Sequence, residues 1–406
     1  MGYSLKLNSW LKQYGIVISA MLILSIITAV CSYYLLGFVP HLVSASVIIV
    51  ILLVYFKKIP EKHFPFYLVG LSLAMILQQT MLGSYIVGTD IHQEFYTVNR
   101  TIENGWDWNY YSLNNTSIVL NVVSPFLHKI GIPVLWQFKL LFPIVLSFVP
   151  LILYKAFSKQ IGERYGFYST IFFIIVPVFT VEIATITKSM VAELFFALII
   201  LVLFTQMRFF KKFLLLSFFG ILAVMCHYTI GTLVFGYLGI TGIILLVYAI
   251  FTRKFNFTPI IASVLIVGLV GGLWFYYIGG GIVYMGYTNS YTNIAKQVSE
   301  INAVSSSSTT KVIEDKPKGN YLDRQDSLIR TALGIDWNKT DISGKFFRII
   351  QYVTQLAIIF GAIVLLLNYK KYKVSICFVV GILASVIILG GVLFIPKVAN
   401  IINTTR

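Results

Sequence analysis

Residues 133–154 read PVLWQFKLLFPIVLSFVPLILY, an apolar run interrupted by a single charge, Lys139. A helix needs roughly 20 apolar residues to cross the hydrocarbon of a bilayer, and this run has that length. Windows of the same kind recur at about 15–36, 39–56, 64–86, 167–185, 190–206, 213–230, 232–251, 258–279, 347–368 and 374–395. The chain has 406 residues, of which 58% are hydrophobic and 11% charged, and its mean hydropathy is +0.85. That is more apolar surface than a soluble core requires. The sequence therefore predicts an all-α polytopic membrane protein with about 11 transmembrane helices.

Orientation follows from the basic residues. With the amino terminus taken as cytoplasmic, Lys6 and Lys12 are followed on the inner side by Lys57, Lys58 and Lys62, then Lys155, Lys159 and Arg164. Arg208, Lys211 and Lys212 come next, then Arg253 and Lys254, and finally Lys370, Lys371 and Lys373. Only Glu61 and Glu163 accompany them, as the positive-inside rule requires. This pattern places the carboxyl terminus outside and makes a plasma membrane the expected location. It also assigns the net charge of +16 to topology and anionic inner lipid, and no nucleic-acid partner is expected. The first apolar run is too long for a cleaved signal and reads as a retained anchor. Cys31, Cys226 and Cys377 all fall inside predicted spans and read as structural thiols.

Two outer segments break the rhythm of short loops. The first, about 88–131, opens with Gly88-Thr-Asp-Ile-His-Gln-Glu-Phe-Tyr96 and passes through Trp106-Asp-Trp-Asn-Tyr-Tyr111. From Ile118 to Ile130 it becomes amphipathic, with Ile118, Val119, Val122, Val123, Phe126, Leu127 and Ile130 able to share one helical face. That pattern predicts a helix lying on the membrane surface. The second segment, about 280–345, is polar and rich in Lys and Arg, which suits capture of a phosphorylated lipid as well as it suits a solvated linker.

Ionisable groups converge on this outer rim from distant parts of the chain. Asp90 to Glu94, Glu182 to Glu193, His227, Arg324 to Arg348, and His128 with Lys129 all fall there. Any one rim carboxylate can simply end a helix in water. Convergence of several on one face instead marks a candidate cavity. Lys139 is the main ionisable group away from the rim.

The order of these features resembles the GT-C superfamily of membrane glycosyltransferases. More specifically, GTDIHQEFY (88–96), WQFKLLFPIVLSFVPLILYKAFSKQ (136–160), TKSMVAELFFALIIL (187–201) and CHYTIGTLVFGY (226–237) resemble an uncharacterised family of archaeal-type membrane proteins with that architecture. The likeness covers about residues 85–240. On this resemblance residues 1–63 are two extra helices, and 64–279 form a GT-C-like core that includes the outer loop 88–131. Residues 280–345 form a long extracytoplasmic loop, and 346–406 two final helices with an outer tail.

The resemblance implies an enzyme that moves a sugar or oligosaccharide from a polyprenyl-phosphate or polyprenyl-diphosphate carrier to a glycan or protein acceptor on the outer side. Asp90 matches the position of the general base, and Glu94, one helical turn on, would orient it or the acceptor. Lys188, His227, Arg324, Arg330 and Arg348 are the candidates for the lipid phosphate. His92, Trp106, Tyr110, Glu182, Glu193 and Tyr228 are those for acceptor or sugar, the aromatic rings as stacking platforms. No metal is expected, because Lys188 can supply the charge; the alternative is a divalent cation at Asp90, His92, Glu94 and Glu182. A polymerase of lipid-linked polysaccharide repeat units is an alternative enzyme. A lipid-linked oligosaccharide flippase or transporter, or a scaffold subunit, belongs to a different class. Asn114-Asn-Thr and Asn115-Thr-Ser also match the glycan-acceptor pattern, which arises readily by chance.

Overall fold

A computed structural model describes residues 2–107, 112–253, 258–278 and 342–394. The described residues are helices and their connections, with no strand among them. In chain order these are α1 (Gly2–Tyr33), α2 (Val39–Tyr55), α3 (Phe64–Thr80), α4 (Asp90–Asn104) and α5 (Ser124–Lys129). Next come α6 (Val134–Ile161), which carries a π-turn at Gln137–Leu141, and α7 (Glu163–Ile175). The remainder are α8 (Thr187–Phe204), α9 (Phe209–Cys226), α10 (Tyr228–Thr252), α11 (Thr258–Tyr277), α12 (Ile342–Asn368) and α13 (Ile376–Phe394).

Every apolar window of the sequence coincides with one of these helices. Seven are long and apolar enough to cross a membrane: Tyr14–Tyr33 of α1, α6, α8, α9, α10, α11 and Gly344–Asn368 of α12. An eighth arises if α7 and its continuation Val178–Thr185, bent from it by 58°, count as one span. The bend has a local cause. Pro177 cannot donate to the helix ladder and pushes Val176 into an extended conformation. Of the four helices that separate the expected number of about 11 from these seven, α7 has 13 residues and the apolar part of α13 runs only Ile376–Gly391, while α2 and α3 have 17 residues each. At 1.5 Å per residue each reaches about 26 Å, short of the roughly 30 Å hydrocarbon layer.

The core forms where α3 meets α6 and α7. Phe64, Leu68, Leu71, Phe138, Leu146, Val149 and Phe167 are fully buried there, and the Phe64 and Phe167 rings lie 4.5 Å apart. Outer surfaces are equally apolar but open. Along α12, Val353, Leu356, Phe360 and Leu367 are all more than 60% exposed, a surface that lipid tolerates and water does not.

Lys139 joins two parts of the core. Its Nζ donates to the carbonyls of Leu82, Gly83 and Tyr85 at 3.3, 3.0 and 2.8 Å, while its own carbonyl accepts from Thr80 Oγ1 at 3.0 Å. A buried ammonium is thereby satisfied just beyond the end of α3, and the connection leading to α4 is pinned.

The long segment between α3 and α6 holds two helical pieces. The stretch 118–130, expected as a helix on the membrane surface, is helical as a π-turn, Val119–Val123, continued by α5. Its apolar residues divide between two sides. Val119 joins Leu120, Asn121 and Ser124 in the interior, whereas Val122, Val123, Phe126 and Ile130 stay exposed on the side that suits a lipid interface. The other piece, α4, places Ile91, Glu94, Val98 and Thr101 on one buried stripe.

Candidate functional site

The site is built where α4 crosses the start of α8. The first N–H groups of a helix have no partner within it, and Ile186, which precedes α8, offers no side-chain acceptor. Glu94 supplies one from another helix: its Oε2 accepts the Thr187 N–H at 2.7 Å. The negative carboxylate also faces the positive end of the α8 dipole. Close packing of this region depends on Gly88. Its φ of +131° is one that side chains rarely adopt, and an added Cβ would lie 2.8 Å from Thr185 Cβ.

Lys188 completes the ion pair. Its Nζ lies 3.5 Å from Glu94 Oε1, hydrogen-bonds Asn114 Oδ1 and stands 5.8 Å from the centre of the Tyr228 ring. Glu94 is completely buried and Lys188 nearly so. Burial pushes the Glu94 carboxyl above its usual range, against the pull of Lys188 and of the Thr187 and Lys188 N–H groups.

His227 sits between α9 and α10, stacked on Tyr228. Its Nδ1 accepts the Ile230 N–H at 3.3 Å and so caps α10. Burial, aided by the Lys188 charge, holds its pKa well below 6.5. The ring is therefore neutral at pH 7, and with Nδ1 accepting, the proton belongs to Nε2. His227, a candidate for the lipid phosphate, is thus a neutral donor.

A buried amide network holds Asn114 in place. The Asn121 side chain donates to the carbonyls of Asn114, Asn115 and Ser117 at 3.1, 3.2 and 3.0 Å. Its Oδ1 accepts from Thr101 of α4 at 2.9 Å. Asn115 accepts from Trp106 Nε1 at 3.1 Å and donates to the Asp107 carbonyl at 2.9 Å. Trp274 of α11 donates to the Thr116 carbonyl at 2.9 Å, with its ring 6.1 Å from that of Trp106. These bonds bury Asn114 and Asn115, a placement opposed to their use as glycan acceptors.

Glu94, Lys188, His227 and Tyr228 thus come together. Asp90 stays half-exposed in the first turn of α4, with Oδ1 3.5 Å from Thr89 Oγ1. His92 and Glu182 are exposed, and Glu193 is partly buried further along α8. Trp106 is committed to Asn115 and Trp274, while Arg348 donates to Gln351 on its own helix at 2.8 Å. Tyr110, Arg324 and Arg330 lie outside the described residues. Among the described residues no three His, Cys, Asp or Glu side chains gather as a metal site, and the alternative set Asp90, His92, Glu94 and Glu182 is not brought together. Asn114, Asn121 and Trp274 were not apparent as site residues from sequence. The available signal was a lone Asn121 among Ile118, Val119, Leu120, Val122 and Val123.

Fold and site together define an all-helical integral membrane protein with a buried ion pair where an amphipathic helix meets the start of an apolar one. Set against protein-family models, curated proteins and solved structures, the chain matches none of them.

Proposed function

We propose that this chain is an integral membrane glycosyltransferase of GT-C architecture with about eleven spans. It transfers a sugar or oligosaccharide from a polyprenyl-phosphate or polyprenyl-diphosphate carrier to an outer acceptor, with Asp90 as general base. One observation carries this reading: two acids one turn apart on α4 have opposite environments. Glu94 is buried and committed to α8, whereas Asp90 is half-exposed beside it. An immobilised helix thereby presents an accessible carboxylate next to a fixed cation-containing cluster.

The chemistry is consistent with that arrangement. The acceptor oxygen attacks the sugar's anomeric carbon and loses its proton to Asp90, while the carrier phosphate leaves with the electron pair of the broken carbon–oxygen bond. A phosphate leaving group needs charge stabilisation more than a proton. With Lys188 paired to Glu94, its positive end is fixed in position, and His227 offers an N–H. Glu94 is a positioning residue in this scheme. The transporter alternative needs a mobile charge within the membrane, but Lys139 is held by three carbonyls.

The test is transfer from a synthetic polyprenyl-phosphate sugar by purified protein. Asp90→Asn is expected to abolish product without lowering Tm; full retained transfer overturns the assignment. Product length separates a single transfer from repeat-unit polymerisation.

A further inference from the structure

At the end of α8 opposite Lys188, two adjoining cavities of about 600 and 560 Å³ share Phe204, Thr205, Gln206 and Ser375 as walls. The 18 residues of α8 separate them from the Glu94 cluster by about 27 Å. They cannot be extensions of that site.

Their lining is cationic. Lys159, Lys370 and Lys373 border one cavity and Lys212 the other, and among the described residues no Asp or Glu lines either. The acids at this end are engaged elsewhere: Glu61 pairs with Arg164 at 3.1 Å and Glu163 accepts from Tyr154. Lys212 is 8% exposed; its Nζ donates to the carbonyls of Leu203 and Thr205 at 2.8 and 3.3 Å. Those neutral acceptors orient the ammonium without cancelling its charge.

The walls are fixed and not merely adjacent. Gln160 donates to the Phe204 carbonyl at 3.0 Å and accepts the Ser375 N–H at 3.0 Å. This one side chain ties the end of α6 to the end of α8 and to the α12–α13 connection that carries Lys370 and Lys373.

We propose that this paired cavity binds an anionic phosphate group, held by Lys159, Lys370 and Lys373 and supported by Lys212. Lysine ammoniums supply the charge, and Gln206 and Thr205 supply neutral polar groups beside it. The group can belong to a lipid, whose chains would lie against the exposed ring of Phe209 on the wall, or to a soluble phosphate. The proposal is independent of the glycosyltransferase reading.

Native mass spectrometry of the full chain in detergent tests it with three probes: dioleoyl phosphatidylglycerol, dioleoylglycerol, and inorganic phosphate. Phosphatidylglycerol is expected to be retained over dioleoylglycerol. The triple variant K159Q/K370Q/K373Q is expected to weaken that retention by about tenfold or more. K57Q/K58Q/K62Q removes the same charge outside the cavities and is expected to leave it unchanged. If millimolar inorganic phosphate displaces the lipid, a free phosphate suffices; if only the lipid is held, the headgroup in its lipid is the ligand. Equal losses in the two triple variants, equal retention of both lipids, or no binding of any phosphate probe would overturn the proposal.

Discussion

Glu94 caps the helix that begins at Thr187, although 93 residues separate them in the chain. The same carboxyl pairs with Lys188, so one side chain satisfies both a helix terminus and a buried ammonium. Removing it leaves two buried groups without their partner.

Glu94→Ala is therefore expected to destabilise the protein by about 3–5 kcal/mol, the usual cost of orphaning one member of a buried pair. Glu94→Gln keeps an acceptor for Thr187 and should cost less, although it still leaves the buried Lys188 ammonium without its counter-charge. In Lys188→Met combined with Glu94→Gln, the losses should be smaller than the sum of the single changes. Thermal unfolding in detergent of Glu94→Ala, Glu94→Gln, Lys188→Met and the double variant checks this, and simple additivity would show that the pair is uncoupled.

Asn121 is the hub of the loop that presents Asn114 to Lys188. Asn121→Leu leaves the carbonyls of Asn114, Asn115 and Ser117 without this donor, at a cost of about 1–3 kcal/mol for each group that water cannot reach. Hydrogen exchange should rise first over residues 112–118 and then in the first turn of α8. Unchanged protection there would refute a supporting role.

His227 predicts a pH dependence with a definite sign. Its folded pKa lies below its unfolded value of about 6.5, so the unfolded chain binds the proton more tightly. The stabilisation is complete above that value and is lost as the pH falls through the window below it. Tm measured from pH 7.5 to 5 should drop on acidification, and the drop should be shallower in His227→Gln.

Lys139→Met is expected to lower stability by about 1–3 kcal/mol or more, because Leu82, Gly83 and Tyr85 lose a common donor. Proteolysis between α3 and α4 should accelerate as well. Wild-type resistance at that connection would show that the carbonyls find other partners.

The contrast between Asp90 and Glu94 shows what could be read in advance. Both acids stood out because they follow an apolar run, a property of neighbouring residues. Asp90, one turn before Glu94, shares the helical face of Ile91, Glu94, Val98 and Thr101; it stays partly exposed because it is the first residue of α4, at the end of the packed stripe. That spacing was present in the sequence, but its polar members hid the amphipathic stripe. Similarly, the 118–130 stretch was legible as helical, whereas its division between core and surface depends on the docking of Asn121 against Thr101.

The sequence by itself determined the helical class and the position of each apolar helix. Each of those is set by hydropathy over a short window, so no partner is needed to specify it. Only the tertiary structure decided that Glu94 reaches Thr187 and Lys188, that Asn114 rather than an arginine accompanies the cation, and that His227 is neutral. These are consequences of burial and of contacts between segments far apart in the chain, where a dry interior forces every polar group to find a specific partner.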